Sequence, residues 1–85
     1  MDNTKALQNL KELVKYNLFL RLTDKNKVIM ELFVDKFFNE EASKFTLQEL
    51  KNIFNTADNS FKFFRNYTKS QNDAFWDSIL HKKNQ

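Results

Sequence analysis

Residues 45–69, Phe-Thr-Leu-Gln-Glu-Leu-Lys-Asn-Ile-Phe-Asn-Thr-Ala-Asp-Asn-Ser-Phe-Lys-Phe-Phe-Arg-Asn-Tyr-Thr-Lys, hold two helical patterns separated by a short polar break. Thr46 and Glu49 have the spacing of a capping box, in which the hydroxyl accepts from the amide three residues on and the carboxylate reaches back to the threonine amide. Phe45 and Leu50 stand where a hydrophobic staple would fix the entry of the chain. A helix is expected from about Leu47 to Phe54, stopping at Asn55-Thr56-Ala57-Asp58. Asn55 is one of the few non-glycine residues that tolerate a left-handed conformation. Asp58 or Asn59 is then placed to cap a further helix through Phe61, Phe64 and Tyr67.

The rest of the chain supports the same reading, because its 85 residues contain neither glycine nor proline. Without the residue that favours positive φ and the residue that breaks helices, the simplest construction is helices joined by Asn, Asp, Ser and Thr connectors. Upstream, Leu7, Leu10, Val14 and Leu18 recur at helical spacing, with Leu13 and Leu20 widening the stripe and Asp2 or Thr4 placed to cap it. Past the break at Leu22-Thr23-Asp24, Val28, Ile29, Leu32, Phe33 and Phe37 form a second stripe that ends around Glu40-Glu41-Ala42. Downstream, Ser70-Gln71-Asn72-Asp73 resembles another box before Phe75, Trp76, Ile79 and Leu80. Asp24, Asp58 and Asp73 near helix starts, and His81, Lys82 and Lys83 near the last helix end, agree with the helix dipole. The expected fold is all-α: one compact bundle of about five short helices, spanning residues 1–85.

Composition narrows the function. Ten phenylalanines, two tyrosines and one tryptophan offer a core without metal or disulfide, each aromatic burying roughly 150–250 Å². Cysteine is absent, which excludes thiolate ligands and fits a reducing compartment, so the protein is read as cytoplasmic. The N-terminal stretch lacks the continuous apolar run of a signal peptide, and no span is long enough to cross a membrane. Net charge is +3, distributed as +2 over residues 1–22, −2 over 23–43 and +3 over 44–69. An acidic partner is permitted by this balance but not required by it.

Nothing here writes catalytic chemistry. The single histidine, His81, has no cysteine near it, and the pairs Asp73/Asp77 and Glu31/Asp35 lack a neighbouring nucleophile, base or phosphate loop. The chain is expected to be a non-enzyme without metal or cofactor.

Over Leu47 to Asn66 the spacing resembles the helix-turn-helix motif of DNA-binding regulators. Positions that are buried in that family carry Leu47, Leu50, Phe54, Thr56, Phe61 and Phe64, in a register without gaps. Lys51 departs from the small residue usual at the helix contact, and Asn55 from the usual glycine. The resemblance implies that the fourth helix is the recognition helix, with Asn59, Lys62, Asn66 and Lys69 on its outward face. There asparagine bonds adenine bidentately and lysine reaches guanine or phosphate, while Ser60 and Arg65 hold the backbone. The capping box at the start of the third helix would favour a nearby phosphate. Double-stranded DNA is then the partner, and a homodimer is the expected form, since one such motif reads few bases. The structural alternative is two consecutive amphipathic helices of an ordinary bundle with a solvated outer face.

A second resemblance runs over more of the chain. Leu18-Phe19-Leu20-Arg21, Glu49-Leu50, Ala57-Asp58 and Trp76 are similar in order to features of the Hha/YmoA family of gene-expression modulators. That family is all-helical and binds the oligomerisation domain of the nucleoid protein H-NS, partly through an aspartate that would fall on Asp58. Here the interval between Arg21 and Asp58 is longer, and the His-Arg pair and the proline of that family are missing. The reading this implies is a helical adaptor or inhibitor that takes a protein partner, whether as such a modulator or as a phage- or plasmid-type binder of a host factor. Its partner-binding residues would be Asp58, Phe63, Tyr67 and Trp76, because the aromatic surface of the fourth helix is wider than one core requires. Core packing is the ordinary alternative for all three aromatics.

Overall fold

Helices follow one another from Thr4 onward in the computed structural model, which describes residues 4–68 and 73–80, the side chain of Leu80 excepted. Five α-helices lie among the described residues: α1 (Thr4–Phe19), α2 (Asp24–Glu40), α3 (Leu47–Ile53), α4 (Ala57–Tyr67) and α5 (Asp73–Leu80), with a 3₁₀ turn at Ala42–Lys44 between α2 and α3. The fold is all-α, as the missing glycine and proline lead one to expect. Asp2, the Ser70-Gln71-Asn72 part of the second box, and His81, Lys82 and Lys83 fall outside the described residues.

The starts of α2, α3 and α4 are set by threonines. Thr23 caps α2, its Oγ1 accepting from the Asn26 amide at 3.4 Å. At α3 both halves of the box are present: the Glu49 amide donates to Thr46 Oγ1 at 3.1 Å and the Thr46 amide to Glu49 Oε1 at 2.8 Å. At α4 the cap is Thr56, whose Oγ1 accepts from the Asn59 amide at 3.0 Å. The sequence suggests Asp58 or Asn59 for that cap and a buried position for Thr56; the structure differs on both. Thr56 is exposed because a capping hydroxyl must face the open amides of the first turn. The connector is accordingly three residues, Phe54 to Thr56, rather than four. Asn55 Oδ1 accepts from Asn59 Nδ2 across it at 2.7 Å.

The core is built around Phe37 of α2. Phe54, the C-cap of α3, and Phe63, Phe64 and Tyr67 of α4 meet its ring edge-on, with centroids 4.9–5.9 Å away. Leu10, Val14 and Leu18 of α1 and Met30 and Val34 of α2 complete the cluster. α5 closes a separate side: Trp76 stacks on Phe33 at 5.8 Å and Phe75 meets it edge-on at 5.6 Å.

The expected α1 stripe is the buried one at Leu10, Val14 and Leu18, whereas the residues that widened it and part of the α2 stripe face solvent. Leu13 and Tyr16 of α1, Leu20 just past its end, and Val28 and Leu32 of α2 are 55–70 % exposed. α2 buries Met30, Val34 and the expected Phe37, and half-buries Ile29 and Phe33 against the core, so only the Val28 and Leu32 part of its stripe is turned outward. Both helices carry apolar residues on more than one side, so periodicity alone admitted two faces. Ion pairs run along the α1–α2 contact. Lys15 Nζ lies 2.7 Å from Asp35 and 3.3 Å from Glu31, and Lys11 Nζ 3.6 Å from Asp35. No donor meets Asp35 Oδ1 in hydrogen-bonding geometry, so its contact with Lys15 is an ion pair rather than an aligned bond. Burial pulls the Lys15 pKa down, but Asp35 and Glu31 together outweigh it and hold the group above the ordinary lysine value.

Candidate nucleic-acid interface

α4 separates its residues cleanly because its core positions fall on one side. Phe61 and Phe64 are buried, and Ser60 and Thr68 are buried beside them. Asn59, Lys62 and Asn66 are exposed, and at ~100° per residue they fall within about 60° of one another, opposite the Phe61/Phe64 side. The fold therefore brings together three of the six residues expected to face DNA and leaves their outer face open. Arg65 is half-buried on the flank, and Lys69 lies outside the described residues. Lys51 of α3 is exposed, so the long side chain in place of a small residue turns to solvent instead of wedging α3 from α4.

Ser60 does not belong to this face. It is buried at 3 % exposure, and its Oγ donates to the Thr56 carbonyl at 2.9 Å. That position sits one residue from Phe61 on the inner side of α4, so it cannot hold a phosphate backbone as the sequence reading had it.

The four residues assigned to a protein partner divide in the same way. Trp76 is 1 % exposed, and its Nε1 donates to Thr68 Oγ1 at 2.9 Å. Thr68 Oγ1 in turn donates to the Phe64 carbonyl at 2.8 Å. An indole buried with its N–H satisfied is core, and it presents no docking surface in this fold. Phe63 and Tyr67 are half-buried and stacked on each other at 6.3 Å. They pack against Phe37, so α2 covers the apolar width that seemed excessive in α4 taken alone. Burial, followed by the charges of Glu41 and Glu40, raises the Tyr67 pKa against the opposing pull of Lys44. Asp58 is exposed, and its Oδ1 accepts from Arg21 Nη1 at 2.5 Å.

Sequence reasoning missed two features of the site. Arg21 comes from the turn after α1, and its guanidinium also stands 5.7 Å from the centre of the Phe61 ring. No local signal could pair residues so far apart in the chain. Thr56 as cap was legible in principle from the Thr-x-x-Asn spacing, but a full box with glutamate gives a stronger signal than asparagine at that place.

Among the described residues, no group of three histidine, cysteine or acidic side chains is placed to hold a metal ion, and no helix is long and apolar enough to cross a membrane. No protein-family model, curated protein or solved structure matches the chain. The reading of this face rests on its own residues.

Proposed function

We propose that the protein is a small, non-enzymatic cytoplasmic regulator of gene expression that binds duplex DNA through α3 and α4, with α4 lying in the major groove. One observation carries the reading: Asn59, Lys62 and Asn66 form an uncovered polar face opposite Phe61 and Phe64. Asparagine and lysine are the residue types that bond adenine and guanine edges or phosphate, and an exposed helix of this length fits the groove. The capping box fixes the start of α3 and the Thr56 cap that of α4, so the two helices enter the site as formed elements.

Salt-dependent binding of a short mixed-sequence duplex is the test. Lys62→Glu combined with Lys69→Glu lowers affinity by more than about tenfold at fixed salt while the helical circular dichroism stays unchanged. Undiminished binding removes α4 from the interface.

A second reading has its own observation. Leu13 and Tyr16 on α1 and Leu20 just past its end recur at three and four residues and leave an apolar stripe open to solvent. That stripe suits a protein partner or a second copy of the chain, and it moves the adaptor surface from the aromatics of α4 and α5 to α1. A protein that binds no duplex at low salt, yet loses its partner when Tyr16 and Leu20 are replaced by serine, belongs to this class.

A further inference from the structure

We propose that Arg21 is a phosphate-contacting residue of the same site, a cation delivered to the edge of α4 from the turn after α1 and held there by Asp58. The assignment rests on the reading of α4 as the duplex-facing helix. Asp58 and Lys62 are one helical turn apart, so they sit about 40° from each other on α4, and Arg65 falls about 20° from Asp58 on the other side. Asp58 thus stands at the rim of the outward face, where a bare carboxylate would repel a phosphate backbone. Arg21 answers it: Nη1 is 2.5 Å from Asp58 Oδ1, and the guanidinium lies 5.7 Å from the Phe61 ring centre.

Two contacts on different sides restrain a side chain that would otherwise sweep freely. The guanidinium has five donors in a planar fork, and Asp58 engages Nη1, while 51 % of the side chain remains exposed. A pair this open to solvent adds little to folding, so stability is a weak account of it. A guanidinium oriented by a carboxylate and still presenting N–H groups to solvent is suited to an anionic oxygen, and arginine recognises phosphate through that fork. With Arg21, Lys62 and Arg65 around one aspartate, the rim of α4 is cationic on balance.

Fluorescence anisotropy of a short mixed-sequence duplex, titrated across salt concentrations, tests the assignment with wild type, Arg21→Gln, Arg21→Lys and Lys62→Glu. One lost phosphate contact lowers the magnitude of the slope of log K against log salt by about 0.9. Arg21→Gln shows that drop, whereas Arg21→Lys, which keeps the charge, retains the wild-type slope at somewhat lower affinity. A residue acting only through the fold leaves the slope unchanged. If Arg21→Gln keeps the slope, or if Arg21→Lys loses as much as Arg21→Gln, the assignment falls. The parent reading fails separately, when the wild type does not bind duplex at low salt or Lys62→Glu binds undiminished.

Discussion

The α1–α2 hairpin and the α3–α4 pair are written in similar amphipathic sequence, yet different physics fixes their faces. In α3–α4 each helix begins at a threonine cap, and α4 turns Phe61 and Phe64 to a single side, so start and orientation agree. In α1–α2 the threonine cap that the described residues show is that of α2. Apolar residues are spread around both helices, and the buried side is chosen by tertiary contacts: Phe37 with its aromatic neighbours, and the Lys15–Asp35–Glu31 cluster between the helices. Hydrogen-bonding signals at helix ends thus say where a helix starts. A count of apolar residues does not say which way it faces when more than one side qualifies.

The strongest way to break this contrast is to exchange what the two sides of α2 predict. Phe37→Ala removes the ring on which α3 and α4 converge, and the loss is expected at about 3–5 kcal/mol, enough to unfold much of a domain this small. Leu32→Gln, on the exposed side of the same helix, changes stability by less than about 0.5 kcal/mol. Urea melts of the two variants read both numbers. A costly Leu32→Gln that becomes benign on dilution would show that this side is covered by a second copy of the chain rather than by water.

That contrast also marks how far the sequence could be read. The all-α class followed from the missing glycine and proline, and the α3 start followed from Thr46 and Glu49, because both are local properties of the backbone. Lys62, Asn59 and Asn66 were placed on an outward face correctly, since Phe61 and Phe64 define the inner side of an amphipathic helix by themselves. Ser60 was misplaced through its adjacency to Asn59: small and polar, it fits the inner side once its hydroxyl bonds the Thr56 carbonyl. Trp76 and Tyr67 could not be assigned, because what covers them, Phe33 and Phe37, comes from a helix some 30 or more residues upstream. Arg21 at Asp58 is a tertiary fact of the same kind, the two lying 37 positions apart in sequence.

A smaller effect probes the electrostatic half of the hairpin. Lys15→Gln leaves Asp35 and Glu31 facing each other without their shared cation. Its expected cost at neutral pH is on the order of 1–2 kcal/mol, between the values for exposed and buried pairs. The Lys15 pKa is raised in the folded state above the ordinary lysine value of 10.5. Its contribution is therefore fully present below that value and is lost as pH rises through the folded pKa. The stability gap between wild type and Lys15→Gln stays constant up to about pH 10 and narrows above it. A gap unchanged into the alkaline range would mean that packing of the lysine stem, not its charge, ties α1 to α2.

The finest distinction lies between the two caps that frame the candidate interface. Thr46→Ala and Thr56→Ala each remove one hydroxyl acceptor from a first-turn amide, at an expected cost of about 1 kcal/mol apiece in chemical denaturation. Serine at either place restores most of the loss. Their consequences for binding differ. In Thr46→Ala the Glu49 carboxylate still holds the residue-46 amide, so α3 keeps part of its box and duplex affinity changes little. In Thr56→Ala the first turn of α4 loses the side chain that binds the Asn59 amide, and that turn carries Asn59 on the open face and Asp58 beside Arg21. Fraying there weakens duplex binding by more than the stability change alone accounts for. Equal effects of the two variants on binding would place the interface away from the start of α4, and would shift attention to the apolar stripe of α1.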